Sequence, residues 1–361
     1  MIPRTAERKL LRVGTVVNPV TVRIARVQLR RTGLIVRFPS RLNAMALDPS
    51  KIVLTKSMRY SPGEVIVKIQ RYRRVRVTVT PRRGELTISR RSQRQPLIRH
   101  ATLLMRAALH RADGLAIDVD NKSEIRHAGL GSSSGLIAAV ACAVHELYGT
   151  PLPPDVLARY LAQNHGEEVD GDPEHLAPVQ CIGGSIVGGL NAGGIQVLAG
   201  DSRLIAAYRV GPGYRVVTGI PSDYQPLDAA TLLEREARSF PGFVACGKRY
   251  GALVAYRLVH EALPGFAGGD IKPLGDLVYD YRFRMGSIRN CSYCYPRLPV
   301  VGAAVAPLKK NGTADILALS SVGPAFFAVT RSPRRCEQVF RQAGLRTFVT
   351  GIDNDPYTVT A

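Results

Sequence analysis

Gly129-Leu130-Gly131-Ser132-Ser133-Ser134, entered through Ile125-Arg126-His127-Ala128 and left through Gly135, is the stretch on which the fold of this 361-residue chain turns. A strand at 115–119 precedes it, and an alanine-rich apolar helix over 135–147 follows, stopped by Gly149 and Pro151. A helix N-terminus presents unpaired backbone N–H groups and partial positive charge, which suits an anion. Gly129 and Gly131 let the backbone approach a phosphate closely, and Ser132, Ser133 and Ser134 can cap the helix or offer hydroxyls to phosphate or metal. No Gly-Lys-Ser/Thr ending follows, so this is not a Walker P-loop.

Outward from the loop, the N-terminal side reads as strands. Runs at 13–27, 33–38, 65–69 and 75–80 are rich in Val, Ile and Thr. In the last of these, valines alternate with Arg and Thr, as in an antiparallel strand with one wet face. Arg82-Arg83-Gly84-Glu85 predicts a hairpin turn into Leu86-Thr87-Ile88, and 90–95 reads as an exposed connection closed by Pro96. Helical spacing over 97–112 places Leu103, Leu104, Ala107 and Ala108 on one stripe, and a further helix covers about 154–164. Beyond Gly183-Gly184, strands joined by glycine turns are expected over 185–200, two more over 206–221, and helix over 227–261. Strand and helix return over 298–329. The texture is α+β, with a boundary near residue 200.

Composition sets outer limits. With 45% apolar and 21% charged residues the chain is ordinary globular material, and no apolar run reaches the length of a membrane span or a signal peptide core. A cytoplasmic protein without a membrane partner is expected. Six cysteines do not make a disulfide framework at this length. Cys291-Ser292-Tyr293-Cys294 is half a zinc motif with no second half, and reads as two reduced thiols in a turn. Of the net charge of +21, residues 1–100 carry +20, from 24 Lys/Arg against four acids. Such a field attracts polyanions or phosphorylated metabolites.

Two further stretches join the loop. One is Gly171-Asp172-Pro173-Glu174-His175-Leu176-Ala177-Pro178-Val179 with Gly183-Gly184, and the other is Leu319-Ser320-Ser321-Val322-Gly323-Pro324-Ala325-Phe326-Phe327-Ala328. With the loop they resemble, in order and separation, signature motifs of the GHMP kinase superfamily, which includes galactokinase, homoserine kinase and mevalonate kinase. Phe38-Pro39-Ser40-Arg41-Leu42-Asn43 is similar to the first motif. The proline usual four residues before the first glycine is replaced by Ile125. This resemblance implies a two-lobed α+β fold: a ribosomal S5-like N-terminal lobe over 1–200, with a basic extension over about 1–30, and a ferredoxin-like lobe over 201–361. It implies ATP on 129–134 and Mg²⁺ held by Ser133 with Glu167 or Glu168. Substrate would be bound by Asn43, Ser320, Ser321 and Gly323, with Arg41 facing the substrate or nucleotide. Where many relatives carry a catalytic Asp this chain has Ala177, as homoserine kinases do, which leaves solvent, phosphate, Asp172 or His175 to take the proton. His175 stands where the homoserine enzymes have an asparagine.

The expected activity is therefore ATP- and Mg²⁺-dependent phosphorylation of a metabolite hydroxyl, with the acceptor and a homodimeric assembly left open. Two alternatives stand beside it. Arg41-Leu42-Asn43 and His127-Ala128-Gly129-Leu130-Gly131-Ser132 also resemble β-ribofuranosylaminobenzene 5′-phosphate synthases, which use phosphoribosyl pyrophosphate. Those enzymes have His at the place of Asn43 and Gly-Thr-Gln after the glycines, so the kinase reading is favoured. The other alternative is a basic scaffold for RNA or an acidic partner. The first hundred residues offer only Phe38, Tyr60 and Tyr72 for base stacking and no RNA motif, which argues against it.

Overall fold

A computed structural model describes residues 10–24, 27–52, 62–121 and 124–361. Within the basic extension, 1–9 and 25–26 lie outside these, as does Tyr60. The strand expected over 13–27 is not found among its described residues: only β1 (Leu11–Arg12) is extended and paired. Side chains take the backbone donors instead. Gly14 N–H donates to His100 Nδ1 (2.9 Å), and Val17 and Asn18 N–H donate to Asn164 Oδ1 (2.6 and 3.0 Å).

β2 (Gly33–Ala46) and β3 (Glu64–Thr80) form the spine of the first sheet, antiparallel over most of their lengths. The expected alternation holds: Val75 and Val77 are buried, while Arg74, Arg76 and Thr78 are exposed. The hairpin expected at 82–85 is corrected. β4 (Leu86–Ile88) pairs parallel with β5 (Gly114–Asp120), and β5 lies between β4 and β3. The reason is length: β5 matches seven residues of β3 with buried Leu115, Ile117 and Val119, whereas β4 offers three.

Three helices cover the sheet: α1 (Gln95–Leu109), α2 (Ser132–Leu147) and α3 (Pro154–Gln163). The stripe on α1 is rotated from expectation, with Leu97, Ile98, Ala101, Leu104, Met105 and Ala108 buried and Ala107 exposed. α2 is buried on nearly every side between α1, β2 and a following helix, which is what its small apolar residues allow. β6 (Gly166–Val169) and β7 (Asp172–Pro178) join β1 in a small sheet beside α1.

The strand expected directly after Gly184 is a helix, α4 (Gly184–Leu190). Its glycines serve close packing: a Cβ on Gly189 would fall 1.9 Å from the Phe38 ring. β8 (Ile195–Ala199) and β9 (Arg203–Tyr208) then form a hairpin on β3. The first lobe's sheet thus runs to Tyr208, past the boundary expected near 200.

β10 (Arg215–Pro221), the long helix α5 (Ala229–Arg257), β11 (Ile316–Leu319), β12 (Phe326–Thr330) and β13 (Leu345–Thr350) build the second lobe. Its sheet is antiparallel in the order β11-β12-β10-β13. β14 (Thr358–Thr360) returns to pair with β2 in the first lobe. The fold is the expected two-lobed α+β arrangement. One apolar cluster spans the seam, joining Leu42, Met45 and Val65 to Val216, Ile316 and Phe327. Each such fully buried side chain contributes about 1.5–3 kcal/mol, which ties the lobes together. Among the described residues no helix is long and apolar enough to cross a membrane.

Candidate active site

The loop at 129–134 meets the second lobe at the seam. Gly129 and Gly131 both have positive φ (82° and 64°), and Gly131 is the N-cap of α2. A Cβ on Gly129 would lie 2.4 Å from Ser320 O, and one on Gly131 2.3 Å from Ser185 Oγ. Glycine is required at both on sterics as well as dihedrals. Gly131, the N-cap, has no side chain to bond the first N–H groups of α2, which leaves them open to an anion. Ser134 donates to Ser185 Oγ (2.9 Å), which turns it away from any ligand.

Ser132 and Ser133 are engaged by Arg94. Its Nη1 donates to Ser132 Oγ (3.1 Å), its Nη2 to Ser133 Oγ (2.8 Å) and Glu167 Oε1 (2.7 Å), and its Nε to Glu168 Oε2 (2.5 Å). Ser133 Oγ in turn donates to Glu167 Oε1 (2.5 Å). Burial opposes the charge of Arg94, but Glu167 and Glu168 outweigh it and hold the guanidinium above the ordinary arginine range. Glu167 is the mirror image. Burial would raise it, yet Arg94 above all, then His127 and His165, keeps it below the usual carboxylate range. Glu168 is also within 3.6 Å of Arg126.

The segment 90–95, read as exposed, is therefore corrected at Arg94, whose side chain is only 5% exposed. A signal was present in the sequence. A cation at a helix N-terminus opposes the helix dipole, and Arg is no N-cap residue. Arg94 holds that cap position with φ of 62°.

Arg41 approaches the same loop from β2. Its Nε lies 3.2 Å from where a Cβ on Gly131 would be. Buried Arg41 Nε and Nη1 have no hydrogen-bond partner among the described residues, and neither has Nε2 of His127, which enters the loop at φ of 54°. Burial lowers the His127 imidazole below its ordinary range. Arg41 lies between two irregularities in the β2–β3 ladder, one between Pro39 and Ser40, the other between Asn43 and Met45. A cavity of about 150 Å³ opens at the seam, lined by Pro178, Val179, Glu236, Phe240, Ser321 and Val322 among others; neither Arg41 nor the loop is part of its lining.

The expected substrate contacts divide. Asn43 is corrected: its Nδ2 donates to Glu64, its Oδ1 accepts from Arg282 (2.8 Å), and it is 5% exposed. Ser320 is likewise spent inside the protein, accepting from Asn43 N–H (3.1 Å) and donating to Gly129 O (2.7 Å). A Cβ on Gly323 would face Leu319, Cys294 and Leu298, so that glycine packs against the second lobe. Only Ser321 reaches the cavity. Arg282, unmarked by any motif, binds the carbonyls of Asn43, Ala44 and Ser321 (3.3, 2.6 and 2.9 Å) and locks the three segments together.

Asp172 and His175 lie on β7 and face each other, with His175 Nδ1 2.9 Å from Asp172 Oδ2. No hydrogen bond or ion pair links either to the loop, Arg41 or Arg94, and both are partly exposed. Ala177 pairs with Glu167 across β6–β7 and brings no polar group. Cys291 and Cys294 are buried thiols. Cys294 Sγ–H donates to Val322 O (2.8 Å), and burial pushes the Cys291 thiol up to about 11. Among the described residues no group of three or more His, Cys, Asp or Glu could hold a metal ion.

The loop and the two unpartnered donors of Arg41, Nε and Nη1, fit a phosphate chain. The expected metal ligands Ser133, Glu167 and Glu168 do meet, but around Arg94, which already bridges Ser133 to both carboxylates. As arranged, these residues do not fit a divalent ion.

Residues 96–184 match the family model described as GHMP kinases N terminal domain. Among curated protein sequences none matches the chain. Solved structures resemble it over most of its length. A homoserine kinase from Cytophaga hutchinsonii superposes with a TM-score of 0.60 at 16% identity, covering 92% of this chain and 99% of that one. Galactokinase of Lactococcus lactis, solved with galactose, gives 0.64 at 12% identity over 91% and 95%. A mevalonate kinase from L. major, solved with R-mevalonate, gives 0.57 at 13% identity over 91% and 100%. At these identities the likeness is one of fold. Residues 96–184 thus match the N-terminal domain of GHMP kinases, and the chain as a whole shares the two-lobed fold of the kinases above.

Proposed function

We propose that this protein is a phosphotransferase that carries a phosphoryl group from ATP to a hydroxyl of a small molecule. The observation that carries the reading is the pairing of a helix N-terminus at Gly131 with the half-buried guanidinium of Arg41, whose Nε and Nη1 have no hydrogen-bond partner among the described residues. Leaving buried donors without a partner is costly, so a guanidinium that keeps two of them suits an anion. The amides at the start of α2 and Arg41 would bind the phosphates. The cavity beside Ser321 and Val322 would take the acceptor. ATP supplies the activated phosphoryl group, and the protein's part is positioning and charge compensation.

In the transfer the acceptor oxygen forms a bond to phosphorus, the bridging P–O bond breaks, and ADP leaves. Ala177 supplies no base, and Asp172 and His175 are turned to one another. The proton is therefore assigned to water or the transferred group. Incubation with ATP and a panel of hydroxylated metabolites tests the reading: stoichiometric ADP and phosphorylated alcohol are expected. Pyrophosphate release from phosphoribosyl pyrophosphate, with no ADP from any alcohol, would replace it with ribosyl phosphate transfer.

A further inference from the structure

The arrangement around Arg94 goes beyond nucleotide binding as such. Two carboxylates, Glu167 and Glu168, sit beside the loop, and two arginines, Arg94 and Arg126, face them. Their formal charges balance before any ligand arrives. Geometry points the same way. A divalent ion held by Ser133 and Glu167 would need the space between their oxygens. That space is closed by the hydrogen bond between them, and Arg94 Nη2 reaches both, at 2.8 and 2.7 Å. Guanidinium is planar and presents several donors at once, so one residue satisfies two hydroxyls and two carboxylates together.

Holding Arg94 there has a local cost. It caps α1 with φ of 62°, a conformation that disfavours a residue with a Cβ by roughly 1–2 kcal/mol, and it sets a cation at the positive end of the helix. Strain retained at a ligand site marks a residue kept for the site rather than for the helix. Arg94 also lies just before the matched segment 96–184, so the family model does not account for it.

We infer that Arg94 is a tethered cation standing where a divalent ion would otherwise bridge Ser133 and Glu167, so that nucleotide phosphates are bound without a protein-held metal at this position. The inference rests on the phosphotransferase reading above. A divalent ion would then come only as a passenger on the nucleotide, bound by phosphate oxygens and water.

The test is the affinity of the intact protein for a non-hydrolysable ATP analogue, measured by calorimetry in excess chelator and in saturating Mg²⁺. For the wild type the two dissociation constants should differ by less than about tenfold. In R94A, binding in chelator should weaken by about tenfold or more, the scale of a lost charge-assisted contact, and Mg²⁺ should restore most of it. Thermal melting gives a readout independent of nucleotide. Mn²⁺ should raise the melting temperature of R94A, whose carboxylates have lost their partner, and leave the wild type unmoved. If R94A does not fold, R94K, which keeps the charge but not the fork, serves in its place, and the wild-type comparison decides alone. A wild-type affinity that falls tenfold or more in chelator overturns the inference and leaves the phosphotransferase reading standing. No nucleotide binding in either medium overturns both.

Discussion

Two guanidiniums flank the loop, and their surroundings assign them different work. Arg94 has its donors satisfied by Ser132, Ser133, Glu167 and Glu168, whereas Arg41 has buried donors with none. Replacing Arg41 by Met should weaken ATP binding by roughly 10- to 100-fold, the equivalent of a charge-assisted hydrogen bond at about 1.5–3 kcal/mol. Stability should hold or rise, because two buried donors without a partner are removed. Calorimetry and urea unfolding of R41M check both halves. Asp172 and His175 give the contrasting case. General bases contribute about 10²- to 10⁴-fold, so D172N and H175Q should lower kcat by less than about threefold if water takes the proton. A hundredfold loss in either would return the base to that pair.

His145, on the buried face of α2, makes a pH prediction. Its Nε2 accepts from Leu152 N–H (2.9 Å), and burial lowers its pKa from 6.5 to about 4. Between those values the unfolded chain binds a proton that the folded protein refuses. Stability is therefore full above about pH 6.5 and falls as pH drops toward 4, by about 3 kcal/mol in all. Urea unfolding of wild type and H145Q at both ends of that window should show the slope in the first and a shallower one in the second.

At the scale of elements, the strand–loop–helix unit was legible because several local rules agree there: a β-branched strand, glycines where φ must be positive, and a small-residue helix that can be buried all round. G131A breaks two of those rules at once, through φ of 64° and a 2.3 Å approach to Ser185 Oγ. It should lower stability by about 2 kcal/mol and abolish tight nucleotide binding, measured by melting and by fluorescent-analogue titration. Elements whose partners lie far away in sequence were harder to read. The turn at 82–85 looked like a hairpin because nothing local says that β5, nearly thirty residues on, takes the neighbouring edge of β3. Likewise α4 looked like strands and turns, since Gly188 and Gly189 answer to Ile66 and Phe38 on the sheet beneath. Arg94 was missed for a related reason. Its partners Glu167 and Glu168 lie more than seventy residues away, and an Arg-rich connection ordinarily faces water.

For the whole molecule, the decisive feature is the seam between lobes, which motif order implied but could not detail. Arg282 is 3% exposed and ties Asn43, Ala44 and Ser321 together, placing the third motif against the first strand and the loop. R282M should destabilise the protein by about 3 kcal/mol in urea unfolding, because the carbonyls of Ala44 and Ser321 and the Oδ1 of Asn43 lose their donor. It should also raise KM for the acceptor, since Ser321 lines the cavity. The account as a whole stands on where a nucleotide's phosphates lie. A crystal structure with a non-hydrolysable ATP analogue should place them on the first amides of α2, within hydrogen-bond reach of Arg41; phosphates bound away from Gly129, Gly131 and Arg41 would contradict it.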